Sequence, residues 1–443
     1  MGMLARFIRD LVPPPEDRQA LDWSTLPATA GFFLPLQILA CLSQRRGTKA
    51  LRIFLLPFIL TAIVRGTFHY GSPYSPEDFL FSWSRGLVGF NCIALALDFT
   101  FLKRTKLASS QTQHIPAAEP ANAKPNDSSC TAGSKVSLRH VNTDEDVSLP
   151  ERKAPKKYGH LLTWYKDSVE VMLCTRGIGY DYGADIYIPP DTRDLRRGPF
   201  LRSAAYTCFT SVLTIDIIQT FLISLPRIGS YYGGTIFLPE LSPVPRYALS
   251  TLIHILVGKI IICALEGWYS LATFIAVGFL EHSPASWPPL FDQPWKADSL
   301  HDFWNKRWHQ LLRRTFIVLG GIPGRAVAGR AGLVFGTFLA SGLYHEYSMY
   351  LVNRGFDHRT TMFFVMQAAG ILAEEAFRRF TGRRVSGWPG RIWTMISIIG
   401  LGQLSTDAWL SRGLAGAHFL SESISPVRRL LLPTVHYLFG KYY

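Results

Sequence analysis

Phe338 to Tyr350 reads F-L-A-S-G-L-Y-H-E-Y-S-M-Y. Apolar and small residues run through it as in a membrane-spanning helix, yet the pair His345–Glu346 sits inside. An ionisable group is expensive in hydrocarbon, so such a residue marks a functional site by default. About thirty-five residues upstream stands H-D-F-W-N-K-R-W-H-Q, from His301 to Gln310, which crowds aromatic, basic and histidine side chains together just before the apolar sequence resumes. Together the two segments suggest a reaction centre facing a tunnel within a membrane.

The rest of the chain agrees with a membrane setting. Of 443 residues, 18% are charged and 48% hydrophobic, against roughly 25% charged in a soluble domain. The deficit is concentrated in apolar stretches long enough to cross a bilayer, which takes about 20 residues. Candidates are Leu26–Leu42, Leu51–Val64, Phe79–Leu102, Leu201–Leu225, Tyr247–Leu280, Ala326–Val352, Thr361–Phe377, Ile392–Leu410 and a weaker Leu430–Phe439. The expected fold is all-α, a multi-pass membrane protein with about eight to nine spans plus amphipathic interfacial helices. Tyr247–Leu280 is too long for one upright helix and reads as one tilted helix or one with a bent extension.

The net charge of +14 does not argue for nucleic acid. Basic clusters at 45–52, 103–106, 306–314 and 378–384 flank apolar runs, and all can face the cytosol if the N-terminus is lumenal. Three regions follow: N-terminal spans over 1–104, a disordered cytosolic loop over 105–157, and a catalytic membrane domain over 158–443. The loop is rich in Ser, Ala, Pro, Asn, Lys and Asp and cannot bury enough apolar area to offset its ordering entropy. Its sequon, Asn126-Asp127-Ser128, stays unmodified on that side. Within Tyr158–Pro190, L-L-T-W-Y-K-D-S-V-E-V-M-L-C reads as an amphipathic helix on the membrane surface. The six cysteines form no C-x-x-C pair, so neither a disulfide framework nor a zinc site is expected.

His345 alone reads as a packing histidine or as a base. Its neighbours favour the base: Ala340, Ser341 and Gly342 allow close helix approach, and Tyr344 and Tyr347 add polar handles. An imidazole titrates near pH 6.5, so a small shift leaves it neutral and able to accept an alcohol proton. Glu346 points about 100° away on a helix and reads as an ion-pair partner for another helix. Trp304 and Trp308 share one helix face. Arg307 and Arg313 suit the phosphates of a donor, and Asn305 and His309 could hydrogen-bond a reacting carbonyl. The bland alternative is an interfacial helix with Trp and Arg at the headgroups. H-V-N-T-D at 140–144 lies in the loop and carries little. D-Y-G-A-D at 181–185 and D-S-L-H-D at 298–302 match the D-x-x-x-D of magnesium-diphosphate enzymes, which keeps a membrane prenyltransferase as one rival. A transporter is another, although no internal repeat is visible.

R-G-I-G-Y-D-Y-G at 176–183, P-L-F-D-Q-P-W-K-A-D-S-L-H-D-F-W-N-K-R-W-H-Q at 289–310, S-G-L-Y-H-E-Y at 341–347, and the apolar Phe363–Phe377 segment with Gln367, Glu374 and Glu375 occur in that order. Over roughly 160–410 the chain resembles the wax-synthase-like branch of the membrane-bound O-acyltransferases. Its long loop after the third span is similar to that of fungal members acylating terpenoid and other secondary-metabolite alcohols. The resemblance implies an acyl-CoA:alcohol O-acyltransferase of the endoplasmic reticulum, with acetyl-CoA or another acyl-CoA as cosubstrate and no metal or permanent cofactor. It implies His345 as catalytic base and R-W-H as the second motif, where many relatives carry Asn in place of His309. Trp304, Asn305, Arg307, Trp308, Arg313 and Ser341 are the implied substrate contacts. True wax ester synthesis is the second enzymatic reading.

Overall fold

A computed structural model describes residues 3–71, 76–101, 160–183, 185–431 and 433. The loop at 105–157, its sequon and most of the candidate span at 430–439 lie outside the described residues.

The described chain is helical, apart from a two-residue parallel bridge between β1 (Gln19–Ala20) and β2 (Tyr70–Gly71). In order come α1 (Met3–Leu11), α2 (Leu26–Ala30), α3 (Phe33–Ser43), α4 (Lys49–Phe68), α5 (Pro76–Phe101), α6 (His160–Leu173), α7 (Arg197–Ser224) and α8 (Pro243–Phe279). Then follow the single turn α9 (Leu300–Asp302), α10 (Arg313–Phe316), α11 (Ile322–Leu351), α12 (Arg359–Thr381), α13 (Gly387–Met395) and α14 (Leu401–Leu410).

Six segments among the described residues are long and apolar enough to cross a membrane: Leu26–Ser43, Lys49–Phe68, Asp78–Phe101, Arg197–Ser224, Pro243–Phe279 and Arg313–Leu351. The expected eight to nine goes beyond these. The helix at Arg359–Thr381 is interrupted by Glu374, Glu375, Arg378 and Arg379, which dilutes its apolar run. The segment at 387–410 is divided by a π-helical turn, Ile396–Gly400. The long α8 is one continuous helix of 37 residues. Helix α6 lies against α3, where Gln37 donates to Ser168 at 3.3 Å and Arg45 covers the Trp164 ring at 4.2 Å.

The sixth segment begins well before the span read at Ala326–Val352. It is a helical hairpin. Ala328 (φ −134°) and Gly329 (φ +56°) break it, and a positive φ is tolerated at glycine because no Cβ opposes it. The arms then run antiparallel, backbone to backbone. A Cβ on Gly320 would stand 1.9 Å from the Gly336 carbonyl oxygen, and one on Gly324 would stand 2.1 Å from that of Gly332. Such a contact requires small residues on both sides. The pairs are symmetric about residue 328, and continuing that register brings His309, on the arm leading in, to the level of His345 and Tyr347. The shorter arm, about 15 residues, covers only about 22 Å as a helix, less than the roughly 30 Å of a hydrocarbon core.

Two ends of the bundle can be told apart. At one, the hairpin tip meets the α12 C-terminal half through Arg330 and Glu375 (2.7 Å). There Glu374 accepts from the backbone N–H of Leu300 (2.7 Å) and His301 (3.0 Å), and Asp298 accepts from that of Gly387 (3.3 Å). At the other, Arg18 donates to the Leu351 carbonyl (3.1 Å) and to Asn353 (2.7 Å), and Arg354 donates to the Tyr231 carbonyl (2.9 Å). The chain enters at the first end by α9, descends to His309, returns by the short arm to the tip, and runs along α11 to the second end.

Candidate active site

Glu374, Ser299 and Arg307 set the course of the descending segment. Glu374 caps α9, and Ser299 accepts from the Asp302 N–H at 3.0 Å. Phe303–Arg307 then forms one π-helical turn, a widened geometry that often marks functional sites. Arg307 ties the turn together by donating to the Asp302 carboxylate and to the Asp292 carbonyl (3.1 Å). Burial opposes its charge, but Asp302 and then Asp292 outweigh that and hold the guanidinium above its ordinary value. Tyr187 donates to Asp292 at 2.7 Å. Burial and then that carboxylate push the phenol up to about 12.

The turn delivers three aromatic residues to the interior. Trp304 donates its N–H to Gln367 Oε1 at 3.2 Å. Gln367 is fully buried, and its amide donates to the Ser397 carbonyl at 3.4 Å, within the π-helical turn that ends α13. Trp304 packs on Phe338 (5.5 Å) and Phe364 (5.9 Å). Trp308 stacks on Phe303 at 5.4 Å and lies 5.5 Å from His309.

His345 arrives from the other side. Phe364 stacks flat on it (5.3 Å between centroids, 7° between planes), and Trp409 lies at 5.6 Å. Rings therefore run continuously from His345 through Phe364, Trp304 and Trp308 to His309. Nδ1 of each histidine is buried without a hydrogen-bond partner among the described residues, while each residue as a whole is only half-buried. Nε2 is the ring nitrogen left to meet a reactant. Burial first, and the neighbouring His345 second, pull the His309 imidazole down to about 3, so it is neutral at physiological pH.

Glu346 turns away. It is fully buried, pairs with Arg412 at 2.7 Å and accepts from the Asp357 backbone N–H. The remaining implied contacts separate. Ser341 is buried one turn before His345. Asn305 is exposed and Arg313 half-buried within electrostatic reach of Asp185. Arg307, expected to meet phosphate, donates from Nε to Asp302 and from Nη1 to the Asp292 carbonyl. Asp298 and Asp302 hold Gly387 and Arg307 in place, and no group of three potential metal ligands occurs among the described residues. A small cleft between Asn91, Leu95 and Asp98 on one side and Thr175, Arg314 and Val318 on the other belongs to the seam with α5 rather than to the imidazoles. Arg314 pairs there with buried Asp98 at 2.5 Å.

The region just built, from the descending loop through the hairpin into α12, is what comparison with known proteins picks out. Residues 287–366 match the model of the Membrane bound O-acyl transferase family. The resemblance read from the sequence is borne out. Relatives include Acetyltransferase aurG of Calcarisporium arbuscula, 31% identical over 219 residues, which are 45% of this chain and 52% of that protein. Acetyltransferase sirH of Emericella nidulans is 26% identical over 282 residues, 60% of this chain and 62% of its own length. Probable long-chain-alcohol O-fatty-acyltransferase 6 of Arabidopsis thaliana is 33% identical over 108 residues, 23% of this chain and 31% of its own. The chain thus spans less than two thirds of each relative. No solved structure matches it.

Gln367, Glu374, Phe364 and Trp409 were not read as site residues from the sequence. Gln367 and Glu374 had a signal, as polar groups within an apolar helix. Phe364 and Trp409 had none, because core aromatics look the same.

Proposed function

We propose that this chain is a membrane-bound acyl-CoA:alcohol O-acyltransferase, most simply an acetyltransferase acting on a lipophilic terpenoid-type alcohol in the endoplasmic reticulum. The observation that carries the reading is the meeting of His309 and His345 in an aromatic enclosure, at the point where a hairpin brings two sequence-distant segments level. In this reading His345 Nε2 accepts the alcohol proton as oxygen attacks the thioester carbon. Neutral His309 donates its ring N–H to the carbonyl oxygen. The C–S bond then breaks and the thiolate takes the proton from the imidazolium. Removing water from such a site strengthens each of these interactions. Trp304, Trp308 and Ser341 shape the reacting space. Arg313 and exposed Asn305 lie toward the donor, and Arg307 holds the loop that carries both tryptophans.

Named relatives support the acetyl donor at 31% and 26% identity. The plant relative named for long-chain alcohols and fatty acyl groups supports wax ester synthesis as the second reading. Microsomes carrying the chain, given labelled acetyl-CoA or palmitoyl-CoA with a panel of terpenoid and fatty alcohols, separate the two. Acetyl ester formation that disappears in His345→Ala is the expected result. Transfer retained in that variant rules the mechanism out.

A further inference from the structure

Trp409 stands beside the base with a donor to spare. Its side chain is only 7% exposed, its ring centroid is 5.6 Å from that of His345, and its indole N–H is buried without a hydrogen-bond partner among the described residues. An indole nitrogen can only donate, and an orphaned buried N–H is uncommon and costly. The residue is also held firmly. Arg412, one helical turn further on, forms the buried pair with Glu346, the neighbour of His345, so the α14 end is clamped to α11 at this level. Neither His345 nor Trp409 satisfies the other: Nδ1 of the imidazole is likewise without a partner among the described residues.

We propose that Trp409 is a further catalytic residue, whose N–H binds the acyl carbonyl oxygen of the donor while His345 handles the alcohol proton. The inference rests on the acyltransferase reading above. As the alcohol oxygen bonds to the carbonyl carbon, that carbon's π pair moves onto oxygen and the alcohol proton passes to His345. The indole N–H then holds the oxyanion, a fixed donor where charge develops. On collapse the carbonyl re-forms, C–S breaks, and the proton returns to the departing thiolate. Arg412 and Glu346 only position the indole.

The test uses the full chain in detergent with two non-reacting ligands. One is the ketone analogue of acetyl-CoA in which methylene replaces sulfur. The other is S-ethyl-CoA, which lacks the carbonyl. Trp409→Phe keeps an aromatic ring and removes the donor. It is expected to weaken the ketone analogue by about five- to tenfold, the scale of one hydrogen bond, and to leave S-ethyl-CoA within twofold. In turnover, kcat falls. Should the phenylalanine variant not accumulate, benzothienylalanine at position 409 keeps the bicycle and removes only the N–H. Unchanged binding of the ketone analogue, or equal loss of both ligands, overturns the role of Trp409 alone. If the unmodified chain binds neither ligand, the acyl-CoA reading falls and this inference with it.

Discussion

Gly336→Ala tests whether the hairpin makes the site. The substitution touches neither histidine, and alanine is the better helix former by about 1 kcal/mol. In this structure the new Cβ would lie 2.1 Å from the Gly320 carbonyl oxygen and 2.8 Å from its carbonyl carbon. Ordinary contact begins at 3.4 Å, so the arms must part by about 1.3 Å, and the obstacle is backbone that cannot rotate aside. Overpacking of this kind costs roughly 1–3 kcal/mol. The consequence for chemistry is larger, because a displacement of about 1 Å between reacting groups can cost on the order of 10²-fold in rate. Acyl transfer by Gly336→Ala in microsomes is therefore expected to fall about a hundredfold while the protein still accumulates. Gly258→Ala is the control: it lies within α8, and a Cβ there would meet nothing within 4 Å. Full activity in Gly336→Ala, or an equal loss in Gly258→Ala, would refute the claim that the glycine contact sets the distance between the imidazoles.

Three further outcomes follow from the same geometry. His309 is held neutral in the fold, its imidazole pulled down to about 3 from an ordinary 6.5. The unfolded chain therefore binds the extra proton first, and the histidine's contribution is complete above pH 6.5 and lost as pH falls toward 3. The slope approaches about 1.4 kcal/mol per pH unit at most, lessened by the accessible side of the ring. Thermal unfolding of His309→Asn in detergent should lack that one-proton dependence, and an unchanged pH profile would contradict it. Glu346→Gln leaves the buried Arg412 charge without its counter-ion. A loss of about 3–5 kcal/mol is expected, read as poor accumulation and a lowered Tm; a stable, active variant would show that the pair does not clamp α14 to α11. Gln367→Leu removes the acceptor of the Trp304 N–H and should lower kcat more than it raises the KM for acyl-CoA, whereas a change in KM alone would place Trp304 in donor binding rather than in the reacting enclosure.

Much of this was legible in the sequence. Long apolar runs give helices whatever surrounds them, so the bundle could be read directly, and an imidazole inside such a run announces His345. That Glu346 turns away from the imidazole followed from helical geometry; its partner, Arg412, did not. The hairpin did not emerge, although its glycines at 320, 324, 332 and 336 stand in plain view. Glycine spacing within one run says that something approaches closely, but not that the partner is the same run folded back at Gly329. Arg307 was read as a phosphate contact because guanidinium suits phosphate; its bonds to Asp302 and Asp292 depend on a π-helical turn that no periodicity predicts. Trp409 lies 64 residues beyond His345, and only packing brings the two rings together.

The most direct measurement is transfer of a labelled acetyl group from acetyl-CoA to a lipophilic alcohol by membranes containing the chain, with His345→Ala and His309→Ala in parallel. Catalysis by the two imidazoles requires ester formation by the unmodified chain, none above background in the first variant, and a strong reduction in the second, at equal membrane abundance. Ester formation that survives in His345→Ala would contradict it.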